Sequence, residues 1–359
     1  MGESWTNGAW EGSPRADIVW AMAALVPDAF ARTHDLLEAG MRDAVERLSP
    51  GIRRVVAYHL GWVDLEGNPV ESPSGKFVRP ALSFVCAEAV GACAEVALPG
   101  AVAVELVHDF SLLHDDVMDR DTERRHRPTA WTLFGEGEAI LAGDALLALA
   151  QERLIDPPTH ERLKAAAALS EATAEMITGQ SEDLAFERRG DVVLAECVAM
   201  LEHKTAGLLA CACRLGAILG RGSDEQVEAL GGFGRALGIA FQMVDDVLGI
   251  WGRPEVTGKQ ACSDLRQRKK TMPVVVAIEA DGPSAEQLLS LLQSDGEMTE
   301  EDIALAAKLV EDNGGRDRTL EEAERALAGA LRFLDQIDTP VDARRDLEAM
   351  AGFITARDF

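Results

Sequence analysis

The sequence predicts an all-α protein folded as a single large helical bundle. Three observations lead there: apolar residues recur at spacings of three and four almost throughout, Ala and Leu are abundant, and β-branched runs are few beside a single Tyr. No sheet is expected. At 359 residues the chain is long enough for one large core, and 47% hydrophobic with 27% charged residues is the balance of a globular enzyme. With 35 Lys+Arg against 61 Asp+Glu, the net charge of −26 repels polyanions, so neither nucleic acid nor an anionic membrane is an expected partner.

The elements follow in order along the chain. The first 15 residues hold Gly and Trp with little periodicity and read as a mobile arm, and residues 16–359 read as one all-helical domain, since no linker divides them. The start, MGESWTNGAW, lacks the basic and apolar segments of a secretory signal, and nowhere do 18 apolar residues run together, so a cytoplasmic chain without a membrane span is expected. Gly2 with Thr6 matches a myristoylation pattern too short to carry weight. Asp156-Pro157-Pro158, Pro99-Gly100, Gly220 to Asp224 and Asn313-Gly314-Gly315 break the helical pattern. Ser284 with Gln287 and Thr319 with Glu322 have the form of capping boxes, and Thr339-Pro340 that of an N-cap with proline at the first helical position. Two polar interruptions, residues 63–75 and 249–272, border apolar helices and are long enough to be functional loops. The six cysteines form no CxxC pair and have no zinc spacing, so they read as reduced core residues, as Trp20, Trp62, Trp131 and the methionines read as core.

The chemistry concentrates in two places. In Glu105 to Thr129, Asp115 and Asp119 fall on one helix face a turn apart, with Asp116 about 100° round the axis. Such carboxylates repel unless a hard cation such as Mg²⁺ lies between them, and Mg²⁺ takes one or two carboxylates together with waters and phosphate oxygens. Arg120, Arg124, Arg125 and Arg127 follow at once, each a planar fork suited to phosphate. The pattern returns at Phe241, Gln242, Asp245 and Asp246, followed by Lys259, Asp264, Arg266, Arg268, Lys269 and Lys270. Two basic clusters beside aspartate pairs in so acidic a chain point to a diphosphate bridged by metal.

These residues resemble the trans-isoprenyl diphosphate synthases, over about Gly75 to Pro273. The family's DDxxD is matched by Asp115, Asp116 and Asp119, and its arginine pair by Arg124 and Arg125. Its GKxxRP is matched by Gly75, Lys76, Arg79 and Pro80, and its histidine two turns before DDxxD by His108. Gly179-Gln180 with Asp183, Lys204-Thr205, Phe241-Gln242, Lys259, Asp264 and Lys269 follow in family order. The resemblance implies a deep central cavity in the bundle, a homodimer, and head-to-tail condensation of isopentenyl diphosphate with an allylic diphosphate. It implies three Mg²⁺ ions held by Asp115, Asp119 and Asp245, with Asp116 and Asp246 in support. Arg124, Lys204, Lys259 and Lys269 would contact the allylic diphosphate, and Lys76, Arg79, His108 and Arg125 the isopentenyl diphosphate. Thr205 and Gln242, with the Lys204 carbonyl, would face the carbocation. Phe110, five positions before Asp115, would close the product cavity near C20, with geranylgeranyl diphosphate expected and farnesyl diphosphate second.

The chain departs from the family at Gly249, where a third carboxylate is usual, at Phe77, where a basic residue is usual, and at His126, where Gly is usual. Other readings are weaker. Glu105 to His108 and Glu123 to His126 are both ExxH, as in di-iron bundles, but the second lies among arginines that repel iron. A terpene cyclase would leave the isopentenyl pocket unused, and a non-catalytic subunit would have lost an aspartate cluster. Gly232 to Gly238 mimics a dinucleotide loop without the required strand and reads as close helix packing.

Overall fold

The computed structural model describes residues 28–70, 77–252, 261–294 and 296–355. The N-terminal arm, Trp20, Gly75, Lys76 and Lys259 lie outside the described residues. The chain enters as α1 (Asp28–Val45) and α2 (Pro50–His59), the latter started by Pro50 where the missing amide is harmless. Then come α3 (Val78–Ala89), α4 (Leu98–Met118), α5 (Ala130–Phe134), α6 (Glu136–Ile155) and α7 (His160–Phe186). They are followed by α8 (Leu194–Leu201), α9 (Gly207–Leu219) and α10 (Asp224–Trp251). The C-terminal part holds α11 (Ser263–Arg266), α12 (Met272–Ile278), α13 (Pro283–Leu292), α14 (Glu300–Asp312), α15 (Gly315–Leu334) and α16 (Val341–Thr355).

The main core gathers α1, α3, α4, α6, α7, α9 and α10, with smaller apolar clusters around Met243, Val244 and Met272 and around Ile250, Leu265 and Val310. Helix α4 is apolar nearly all round and is the central core helix. With the turn before it, Ala94–Met118 is long and apolar enough to cross a membrane, but 67% of its apolar window is packed inside the fold. Gly234 and Gly238 let α10 approach α9 and the turn before it: a Cβ on Gly234 would stand 2.7 Å from the Leu209 carbonyl oxygen, and one on Gly238 2.6 Å from the Ala206 Cα. The glycine run is therefore helix packing, as its sequence suggested.

Several helix starts differ from the sequence reading. Ser284 lies inside α13, bonding Asn313 Oδ1, because Gly282 and Pro283 already form the start. Thr319 lies inside α15, donating to the Gly315 carbonyl, because Gly314 at φ 75° lets α15 begin directly after α14. Helix α16 starts at Val341, one residue later than the Thr339-Pro340 pattern implied, and Pro99 opens α4 where a break was expected. The capping boxes that form are Ser223 with Gln226 and Thr299 with Asp302. Among the described residues the departures from helix are an antiparallel ribbon, β1 (Glu123–Arg124) with β2 (Arg127–Pro128), and an isolated bridge between Val63 and Pro69. All six cysteines are free, and Cys93 is exposed where a core position was expected. Trp62 and Trp131 are half-buried, the first under Arg42 and the second donating to the Asp121 carbonyl.

Candidate active site

Helices α4 and α10 each carry an aspartate pair in their C-terminal part, and the Lys269–Asp119 pair brings these parts to one mouth. Asp115 and Asp119 lie on α4 and its C-cap, half-buried, while Asp116 faces inward at 1% exposure. Burial pushes the Asp115 carboxyl up to about 6, against the pull of Lys204, Arg124 and Lys269, whose fields all reach it. Asp116 is also raised by burial, and it accepts from Arg124 Nε at 2.7 Å while its Oδ2 has no hydrogen-bond partner among the described residues. Lys269 Nζ donates to Asp119 Oδ2 at 3.2 Å across 150 positions of sequence, which joins the two halves directly. Burial opposes the Lys269 charge, but Asp119, Asp183 and Asp264 outweigh it and raise its pKa.

The second pair divides its work. Asp246, 4% exposed, accepts from Gln242 Nε2 at 2.9 Å and from the Met272 amide at 3.0 Å, and Thr205 Oγ1 donates to Gln242 Oε1 at 2.8 Å. Burial raises Asp246 to about 7 despite those two donors. It therefore orients Gln242 and Thr205 from beneath, while Asp245, one position earlier, is half-buried. Lys204 and Thr205 sit on a one-turn π-helix, Glu202–Ala206, between α8 and α9. Gly179 on α7 permits this: a Cβ there would lie 2.3 Å from the Lys204 amide nitrogen. Lys204 Nζ pairs with Asp183 and His203 with Glu182, two acids of α7 whose roles the sequence alone did not assign.

The arginine cluster is only partly available to a ligand. Arg120 pairs with Glu136 and leans on Trp131, and Arg127 is bound to main-chain carbonyls. Arg124 and the exposed Arg125 remain at the mouth, Arg125 lining both a cleft with His59 and Asp116 and a neighbouring one with Trp62, Phe77, Glu105 and Asp109. The ribbon turn shows why Gly is usual at the position of His126. Arg125 at φ 52° and His126 at φ 60° are both left-handed, the geometry of a two-residue hairpin that Gly adopts most easily. In the second basic cluster, Arg266 pairs with Glu300, Arg268 binds the Ser294 and Gly296 carbonyls, and Lys270 is buried, so Lys269 alone of these four reaches the aspartates.

Beneath Arg125 lies a layer of polar groups, Glu105 and Asp109 buried and Arg79 and His108 half-buried. Glu105 is pushed up to about 6 and Asp109 well up, both mainly by burial, and His108 is held well below its usual value by burial and by Arg79 and Arg125. Arg79 Nε, Glu105 Oε2 and Asp109 Oδ2 have no hydrogen-bond partners among the described residues, a sign of a place completed by a polar ligand. Phe110 is buried and meets His114 edge to face at 4.8 Å. Gly249 is explained as well, since a Cβ there would fall 1.9 Å from Asp264 Oδ2. The di-iron alternative fails on placement, because Glu123 and His126 are on the ribbon and its turn and not on a second helix. Among the described residues no group of three His, Cys, Asp or Glu side chains converges as a preformed metal site.

Comparison with known proteins shows the family. The sequence pattern of the Polyprenyl synthetase family matches residues 67–310. A "(2E,6E)-farnesyl diphosphate synthase" of Mycobacterium tuberculosis is 48% identical over 327 residues, covering 90% of this chain and 91% of that protein. A "Geranylgeranyl diphosphate synthase" of the same organism is 41% identical, covering 82% and 86%. The crystal structure of a polyprenyl synthetase from Streptomyces coelicolor A3(2) superimposes with a TM-score of 0.88 at 46% identity, covering 94% of this chain and 100% of that one. The chain with these two aspartate-bearing helices belongs to the polyprenyl synthetase family and is a prenyltransferase.

Proposed function

We propose that the protein condenses isopentenyl diphosphate head to tail with an allylic diphosphate, in the presence of Mg²⁺, to give geranylgeranyl diphosphate. The observation that carries this is the Lys269–Asp119 pair, which joins the two aspartate-bearing halves of the chain at a mouth where Arg124 also meets Asp116 and Lys204 meets Asp183. Asp115, Asp119 and Asp245 would hold three Mg²⁺, and these ions, when bound, neutralise charge on the departing pyrophosphate. Arg124, Lys204, Lys259 and Lys269 bind and orient the allylic diphosphate. Lys76, Arg79, His108 and Arg125 bind isopentenyl diphosphate. The Thr205 and Gln242 dipoles, fixed by Asp246, stand beside the cation, and the apolar bundle interior excludes water from it.

Phe110 supports a stop near C20. The 48% identity to a farnesyl diphosphate synthase favours C15 as the second reading. We also place the enzyme in the cytoplasm as a homodimer, the latter supported by the exposed Leu133, Ile140 and Leu141. The test is to incubate the protein and Mg²⁺ with farnesyl diphosphate, with and without labelled isopentenyl diphosphate, and identify products by mass. A labelled C20 diphosphate formed only with both substrates is expected. No extension of farnesyl diphosphate, with geranyl diphosphate in a parallel incubation carried only to C15, would move the product to farnesyl diphosphate, and hydrocarbon or alcohol from farnesyl diphosphate alone would replace the synthase with a cyclase.

A further inference from the structure

The ribbon that carries Arg124 and Arg125 is poorly suited to hold itself in place. Each strand has two residues, both residues of its turn are left-handed without being Gly, and its register sets Arg124 directly opposite Arg127, where like charges repel. Besides the bonds of Thr129 to the Thr122 and Asp121 carbonyls at its base, what holds it comes from α2 and the turn after it. Arg127 Nη1 donates to the Tyr58 carbonyl at 3.1 Å and Nη2 to the Val63 carbonyl at 2.8 Å, and its guanidinium lies over the Tyr58 ring, 4.3 Å from the centroid. Tyr58, the single tyrosine of the chain, answers from the other side: its hydroxyl donates to the Pro128 carbonyl at 2.9 Å. It is 6% exposed and braced edge-on by Phe134 at 5.5 Å. The Tyr58 carbonyl belongs to the last turn of α2, an end that attracts a cation.

We infer that Tyr58 and Arg127 form a latch that positions the arginine pair for substrate, an inference that rests on reading Arg124 and Arg125 as diphosphate ligands. Both line the cleft beside Arg124 and Arg125, and the latch assigns them the placing of the ribbon, not the binding of diphosphate. Arg124 has a second restraint in Asp116, whereas Arg125, exposed at the turn, takes its position from the ribbon backbone. Loss of the latch should therefore be felt most by the ligand of Arg125, isopentenyl diphosphate. A lysine at 127 could reach one carbonyl but could not fork across two.

The experiment compares wild type, Arg127→Gln, Arg127→Lys, Tyr58→Leu, Tyr58→Phe and Arg125→Ala. It measures KM for each substrate, kcat, and calorimetric binding of isopentenyl diphosphate alone, which needs no turnover. Arg127→Gln and Tyr58→Leu should weaken isopentenyl diphosphate about tenfold or more, in line with the sensitivity of positioned groups to small displacements, with kcat and KM for farnesyl diphosphate within about twofold. Tyr58→Phe, which keeps the ring, and Arg127→Lys should fall between these and wild type. If the larger changes abolish a cooperative melt, these two conservative variants carry the test through the same ratio of KM values. Unchanged isopentenyl diphosphate affinity in the latch variants, or equal losses for both substrates, overturns the latch. Wild type that binds isopentenyl diphosphate without turning it over would sink the proposed reaction and leave the latch standing, and unchanged binding in Arg125→Ala would remove the residue that the latch is said to place.

Discussion

Gly179→Ala probes the site with the smallest possible change. The new Cβ would lie 2.3 Å from the Lys204 amide nitrogen, 2.7 Å from its Cα and 2.8 Å from its Cβ. Ordinary carbon contacts sit at about 3.5–4.0 Å, so the shortfall is about 1 Å, and it falls on backbone that no rotamer change relieves. Either α7 or the π turn must move by that amount. Overpacking of this kind costs about 1–3 kcal/mol of stability, and a displacement of about 1 Å in groups that position a reacting substrate costs about a hundredfold in rate. Lys204 and Thr205 ride on the displaced turn, so kcat at saturation with both diphosphates should fall by about two orders of magnitude while the protein still folds. The assay is steady-state turnover beside a thermal melt. A variant with wild-type kcat would refute the claim that Gly179 sets the position of the π turn, and a loss of kcat matched by loss of the folded state would reduce Gly179 to a packing residue.

The acid limb of activity should follow Asp115, whose carboxyl burial raises to about 6, because a proton there competes with metal. The midpoint should lie near pH 6 and move lower with added Mg²⁺, and a midpoint near 4, insensitive to Mg²⁺, would contradict it. Both Asp115 and Asp246 have folded values above the ordinary carboxylate value, so the stability they contribute is complete below about pH 4. That contribution is lost as pH rises through about 6 and about 7, so the melting temperature without ligands should decline over that window, read by calorimetry. Gly249→Asp, which restores the family's usual carboxylate, should lower activity, because the new side chain needs the space of Asp264 Oδ2; a gain in kcat/KM would refute this. Phe110→Ala should lengthen the product beyond that of wild type by mass, and an unchanged product would return Phe110 to core packing.

The helical class, the single bundle and the aspartate pairs were legible because they are local: periodicity and spacing along one helix determine them. The roles of the basic residues were not. Arg127, Arg266 and Arg268 look like phosphate ligands in sequence, yet each finds a carbonyl or carboxylate brought near by the fold. Lys269, in the same run, reaches Asp119 because its neighbours are anchored. Helix starts failed at Ser284 and Thr319 for a related reason, since Gly282 and Gly314 had already fixed the starts upstream. The departure at His126 was visible, but its left-handed turn was not, because Arg-His has no turn signature. Gly249 reads as a loss in sequence and as a seat for Asp264 in space.

The cations of the site already have anions: Lys204 has Asp183, Lys269 has Asp119 and Arg124 has Asp116. This pairing makes the order of binding a question of exchange. Mg²⁺ approaching Asp119 alone must separate Lys269 from its partner and leave a half-buried ammonium without one, which costs more than a surface pair would. A diphosphate arriving with the metal gives Lys269 and Lys204 new oxygens as the carboxylates turn to the ion, so each ligand should raise the affinity of the other, by linkage to the same degree. Titration calorimetry with Mg²⁺ alone, inorganic pyrophosphate alone, and each in the presence of the other measures this directly. Coupling of tenfold or more is expected, about 1.4 kcal/mol. Lys269→Gln should tighten Mg²⁺ in the absence of pyrophosphate while weakening the coupled binding. Mg²⁺ that binds equally well with and without pyrophosphate would show that the Lys269 to Asp119 pair does not guard the site.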